Sequence, residues 1–291
     1  GKLGSCEMTA SSDLDLVFIY NVPSEQTQSD GLKPLYATQY FARLGQRYIN
    51  AITSNTEEGR LYEVDMRLRP SGNSGPIATI LSAFKKYHAE QAWTWEHMAL
   101  TRARVMFADA DFTPKIDAAV KAALTKPRNP KNLLFDVADM RQRLAREKPA
   151  NGKWALKRMR GGMIDIEFLT QYLLLKHART KPEILNPNTI TALQNMCDAK
   201  LVNPQDGTFL IETLSLWQGL QGMLSLTIEE EMTKEREDEM SSALKADLVA
   251  IANEPDFARL ESRIKEDAAK VYKKFQGVIE KPAESLLIPD I

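Results

Sequence analysis

The chain has 291 residues, enough for two domains, and 43% apolar against 26% charged residues is ordinary for a soluble globular protein. A net charge of -1 gives no bulk electrostatic case for nucleic-acid binding. Two cysteines, Cys6 and Cys197, lack metal-ligand spacing and suit a reducing cytoplasm, and no apolar run reaches membrane-spanning length or reads as a signal peptide.

In chain order, the first chemistry-bearing segment is Gly4-Ser5, followed by Ser12-Asp13-Leu14-Asp15 and then the apolar run 16–20. That run is rich in β-branched and aromatic residues and predicts a buried strand. Residues two apart on a strand share a face, so Asp13 and Asp15 point the same way. Residues 21–31 are polar and predict a flexible loop. Tyr36, Tyr40, Leu44, Tyr48 and Ile52 recur at helical spacing and predict a helix over 35–54.

Residues 62–70 alternate again. Val64, Met66 and Leu68 are expected on the core face, and Asp65, Arg67 and Arg69 on the other. Three carboxylates gathered at one sheet edge raise each other's pKa unless a cation lies between them. All-oxygen ligands without His or Cys suit magnesium, or manganese, whose shell is completed by water and substrate phosphates. Arg67 and Arg69 are suited to meet such phosphates bidentately. The pattern points to metal-assisted transfer from a nucleoside triphosphate. The glycines of the turn 70–76 either let backbone approach a phosphate or simply build a hairpin.

Residues 81–106 read as two helices, with Trp93 and Trp95 available either for packing or for stacking on a base. Arg102 and Arg104 could reach phosphates or pair with acids, but two apart on a helix they diverge. Residues 109–132 are polar and hold Pro114, Pro127 and Pro130, which places a domain boundary there, in or around a short helix. Beyond it the chain reads helical, over 134–146, 163–175, 189–199, 207–227 and 257–280. Residues 229–239 are a charge run, expected as a solvated helix face or loop. The helix at 163–175 is apolar almost all round, so it belongs at the centre of its domain. Asp165 and Glu167 either complement the start of its dipole and pair with Arg158 or Arg160, or take a direct part in the active site across the domain interface. His88, His97 and His177 are scattered, without ligand-spaced partners.

The strings GKLGSCEMTASSDLDL, YEVDMRLRPSGNSG, AWTWEHMALTRARV and GGMIDIEFLTQYLLLKHA together resemble the glutamine synthetase adenylyltransferase family. That family lies within the nucleotidyltransferase superfamily of DNA polymerase β type. AWTWEH and DIEFLTQYL look like its C-terminal, adenylylating half. The resemblance runs from Gly1 to about residue 226. It implies an α+β chain: a polymerase-β-like nucleotidyltransferase domain (mixed sheet with helices) over 1–112, then an all-α helical bundle over 113–291. The family carries an apolar strand before GKLG, so this chain is expected to be a fragment lacking the first strand. Cys6 stands where a larger or basic residue is usual.

The implied activity is magnesium-dependent transfer of AMP from ATP to a tyrosine hydroxyl of glutamine synthetase, releasing pyrophosphate. Asp13 and Asp15 would bind the metal ions. Asp65 would ligate the second and help deprotonate the acceptor. Gly4, Ser5 and Ser12, with Arg67 and Arg69, would contact the nucleotide. The alternatives are phosphorolytic removal of AMP from glutamine synthetase, or an inactive regulatory fragment. The resemblance also implies the PII signalling protein as regulator, with no nucleic acid or membrane partner.

Overall fold

In a computed structural model, residues 1–9, 12–23, 28–228, 232, 236–237 and 239–286 are described. The chain is mostly helical with a small set of parallel strands. It divides into two compact units: Gly1–Met8 with Ser12–Lys126, and the described residues from Pro127 onward together with Thr9.

The first unit is organised around two short parallel strand pairs. β1 (Leu14–Asp15) pairs with β3 (Val64–Asp65), with Leu14 beside Val64 and Asp15 beside Asp65. The Leu14 N–H donates to the Glu63 carbonyl at 2.8 Å, and the Leu16 N–H to the Asp65 carbonyl at 3.0 Å. β2 (Phe18–Tyr20) pairs with β4 (Ala78–Ile80). The run 16–20 therefore contains a strand, as its composition predicts. Its alternation is real: Val17 and Ile19 pack on a core of Leu81, Phe84, Ile116 and Ala119. Tyr20 stacks on Phe41, and Phe18 meets Tyr48 edge-on, both from the following helix.

That helix, α2 (Ala37–Thr53), follows the one-turn α1 (Lys2–Ser5). Gly45 is its closest approach to the strands. A Cβ there would lie 2.9 Å from an Ile77 methyl and 3.2 Å from the Phe18 ring. Phe41, Ala42, Gly45, Ile49 and Ile52 are its more buried positions. Tyr36, Tyr40, Leu44 and Tyr48, four of the five residues that predict the helix, are exposed. The periodicity thus locates the helix but not the face it packs with.

Residues 62–70 differ from the expected strand. Only Val64–Asp65 is extended; the chain then turns, with the Arg69 N–H donating to the Met66 carbonyl and the Gly72 N–H to the Arg69 carbonyl. The physical cause is local. The Asp65 carboxylate accepts the Arg67 backbone N–H at 2.8 Å, a side-chain turn that competes with continued strand pairing. Arg69 is consequently buried rather than on an exposed strand face. The turn after Pro70 leads through a 3-10 turn (Gly72–Ser74) into β4, which pairs in parallel with β2, so it is not a hairpin. The expected helix pair appears as α3 (Leu81–Glu90) and α4 (Thr94–Leu100), and α5 (Thr113–Thr125) packs on both.

The second unit holds α6 (Pro130–Glu147), α7 (Met163–His177), α8 (Thr189–Asp198), α9 (Pro204–Thr227), α10 (Ser242–Ala252), α11 (Phe257–Phe275), a π turn over Gln276–Glu280 and α12 (Lys281–Ser285). Side-chain N-caps start five of them. Asn129, Asn188, Asn203, Ser241 and Asp256 each accept a backbone N–H of the first turn, and Pro130 and Pro204 add a preset φ. α10 has no counterpart in the sequence expectations, although Ser241 before an Ala- and Leu-rich run is its start signal. The charge run 229–239 lies largely outside the described residues.

α7 packs against α6, α8, α9 and α11, which is why nearly all its faces are apolar. Ile166 is fully buried and Leu169 nearly so, each contributing roughly 1.5–3 kcal/mol of burial. Asp165, at its first turn, is fully buried but pairs with neither Arg158 nor Arg160. It meets Arg141 of α6, whose Nε donates at 2.5 Å, and accepts the Gly161 N–H. Arg160 pairs with Glu280 instead. Gly161 must be glycine: its φ is +79°, and a Cβ would lie 1.8 Å from the Ala268 carbonyl oxygen.

Candidate functional site

Asp13 precedes β1, Asp15 ends it, and Asp65 ends the neighbouring β3. Because β1 and β3 run parallel and in register, Asp15 and Asp65 are direct partners. Asp13, two residues before Asp15, falls on the same side. One carboxylate oxygen from each of Asp13, Asp15 and Asp65 lies within 4.8 Å of the others. The donor set is three hard oxygens with no nitrogen or sulfur among them, the ligand chemistry that suits a divalent cation of the magnesium class.

The surrounding field treats these acids differently. Burial raises the Asp15 carboxyl above its ordinary value, and Asp13 and Asp65 add to it. Asp65 moves the other way. Its hydrogen bonds from Arg67 hold it below the usual carboxylate range despite partial burial. Arg67 grips it through Nε, at 3.0 and 2.7 Å from the two oxygens, and through Nη2.

The other residues offered for nucleotide contact are placed differently. Ser12 is buried at the entry to β1. Gly4 lies in α1, where a Cβ would sit 2.1 Å from the Arg102 carbonyl oxygen; backbone packing alone accounts for the glycine. Ser5 is fully buried, and its hydroxyl lies 2.7 Å from Glu7 and accepts from Arg102 Nη2 at 2.9 Å. Arg69 is spent on the turn that follows it, donating to the carbonyls of Met66, Gly75 and Asn73. In this structure Ser5 and Arg69 therefore build the scaffold rather than face an open site.

Two residues that sequence reasoning left undecided have clear roles. Arg102 and Arg104 follow α4 on non-helical backbone, so their side chains are not forced apart. Arg102 pairs with Glu7 at 2.5 Å, and Arg104 donates to the carbonyls of Gly4 and Leu3. Together they tie α1 to the segment after α4. No local signal announces the Glu7–Arg102 pair, because its members are 95 residues apart. Trp93 is exposed at the start of α4, where its backbone N–H donates to Glu96, which also accepts from the Tyr87 hydroxyl. It is therefore not a core residue.

The family model described as glutamate-ammonia ligase adenylyltransferase matches residues 1–119, the stretch that holds all three acids. Similar proteins include a bifunctional glutamine synthetase adenylyltransferase/adenylyl-removing enzyme of Rhodopseudomonas palustris, 46% identical over 96% of this chain. Proteins of the same name from Xanthobacter autotrophicus and Bradyrhizobium diazoefficiens are each 44% identical, over 98% and 96% of it. In each case the chain spans 28% of the relative's length. With its first 119 residues matching the family model and nearly all of it aligned to these relatives, the chain belongs to the glutamate-ammonia ligase adenylyltransferase family.

Proposed function

We propose that the chain is a nucleotidyltransferase that moves AMP from ATP to a tyrosine hydroxyl of glutamine synthetase, releasing pyrophosphate, with the acids of the first unit as its centre. The single observation that supports this best is the convergence of Asp13, Asp15 and Asp65 on neighbouring strand ends. The polymerase-β-like catalytic domain proposed over 1–112 then falls almost entirely within the first unit, which also takes α5 (Thr113–Thr125) from the expected bundle, and the rest of the helical bundle is the second.

In this reading Asp13 and Asp15 hold magnesium, or manganese, and Asp65 holds a second ion. Bound there, such ions would neutralise triphosphate charge and stabilise the leaving pyrophosphate. Asp65 accepts the proton of the tyrosine hydroxyl. The oxygen forms its bond to the α-phosphorus as the bond to pyrophosphate breaks, in line. Arg67, exposed at the rim, is the side chain suited to the triphosphate. Gly4 and Ser12 are kept as contacts to the nucleotide, while Ser5 and Arg69 act from behind, through Arg102 and the turn after Pro70.

The relatives' name carries both adenylylation and its removal, so direction is part of the proposal. A cytoplasmic setting and regulation by the PII signalling protein follow from the same family reading. Among the described residues no helix is long and apolar enough to cross a membrane.

The test is to incubate the protein, with magnesium, with unmodified glutamine synthetase and ATP, and separately with the adenylylated form and phosphate. AMP incorporation in the first, lost by orders of magnitude in Asp13→Asn with the fold retained by circular dichroism, is the expected result. Near-normal incorporation by Asp13→Asn would refute the acid centre, and turnover only of the adenylylated form would reverse the direction.

A further inference from the structure

The Arg67 guanidinium is hydrogen-bonded to Asp65, and its side chain is 73% exposed while that of Asp65 is 14% exposed. We propose that Arg67 is a displaceable stand-in for the metal: its guanidinium covers both oxygens of Asp65, which a bound cation would have to take over. Loading the site then requires Arg67 to release Asp65, after which it is free for an anionic oxygen of the nucleotide. This rests on the reading of Asp13, Asp15 and Asp65 as a divalent-cation site.

The geometry divides the grip on Asp65 into two parts. The Arg67 backbone N–H donates to Oδ1 at 2.8 Å and belongs to the turn, so it stays when the side chain leaves. It keeps the carboxylate aimed. The guanidinium takes the remaining acceptor positions through Nε and Nη2. A magnesium-class ion approaches a carboxylate oxygen to about 2.0–2.1 Å. It cannot share those lone pairs with a guanidinium, and the two cations repel at that range. Arg69 cannot play this part, because three carbonyls hold it within the turn. An exposed ion pair shifts an equilibrium by only a few-fold. The competition is therefore weak enough for the metal to win, yet measurable.

The probe is Mn2+, titrated into the full chain without nucleotide and followed by electron paramagnetic resonance. Arg67→Gln is expected to tighten Mn2+ binding about two- to fivefold. Arg60→Gln removes the same charge from another exposed pair, with Glu63 at 3.0 Å, and should give less than half that gain. Asp65→Asn should weaken binding at least about tenfold. With ATP present the advantage of Arg67→Gln should vanish or invert, since the nucleotide then loses a partner. A readout that needs no variant is the Arg67 Nε–Hε resonance of the unaltered protein, which should move on Mg2+ addition.

If Arg67→Gln binds Mn2+ no more tightly than the unaltered protein, if Arg60→Gln gains as much, or if the resonance stays fixed while Mg2+ binds, the stand-in is overturned and the metal site stands. If Asp65→Asn leaves Mn2+ binding unchanged, the metal site itself is wrong and the stand-in falls with it.

Discussion

Asp15 and Asp65 face each other across one parallel pairing, yet their carboxyls are pushed in opposite directions. For Asp15 the folded value lies above the unfolded 3.8, chiefly through burial. Its contribution to stability is then complete below pH 3.8 and is lost as pH rises through the folded value. At neutral pH it opposes folding of the metal-free protein. Asp15→Asn should accordingly raise the melting temperature at pH 7, an advantage that disappears as pH falls towards 3.8; thermal melts across pH with a chelator present check this. Asp65 has the opposite sign, its contribution being present above pH 3.8 and lost only as pH falls through its lowered value. His88 gives a second residue-scale prediction. It is buried against Phe84, and neither ring nitrogen has a hydrogen-bond partner among the described residues. Burial, helped by Lys126, lowers its pKa from 6.5 to about 4. The unfolded chain then binds the extra proton, so stability falls as pH drops from 6.5 towards 4, by on the order of 3 kcal/mol. His88→Phe should flatten that slope in urea titrations at pH 7 and pH 5.

At the scale of elements, the strands of the first unit are two or three residues long, and each is held by a helix rather than by a wide sheet. α2 shows how little a periodic stripe says about the packed face. Gly45 admits the strands, and the tyrosine stripe stays outside because the helix turns its smallest residue inward. In the second unit α6 and α7 are joined by the buried Arg141–Asp165 pair. Burial raises the Asp165 carboxyl, opposed first by the Arg141 charge. Removing one member leaves the other buried and unpaired, so Asp165→Asn should cost about 3–5 kcal/mol in denaturant unfolding. The double variant Arg141→Met/Asp165→Leu should recover part of that loss, because the uncompensated charge is gone.

At the scale of the whole molecule, the acid centre lies entirely within the first unit. Ligand that binds the folded state stabilises it by mass action, about 2.7 kcal/mol at one hundred times its Kd. Magnesium with ATP should therefore raise the unfolding midpoint of the unaltered protein. Asp13→Asn should show almost no such shift, and a chelator should reverse it, as differential scanning fluorimetry would report. The sequence by itself determined where the acids lie, that a strand follows the first pair, which segments are helical, and which family the strings belong to. Those features are local: alternation, caps, apolar periodicity and contiguous motifs. That residues 62–70 turn after Asp65 has a local cause, the carboxylate capturing the next residue but one, but only the three-dimensional structure decided that this turn wins over the alternating strand pattern. It also decided that Arg69 and Ser5 build the scaffold, and that Glu7 meets Arg102 and Asp165 meets Arg141. Burial and pairing across 24 to 95 residues of chain depend on what packs alongside, and no local pattern carries that information.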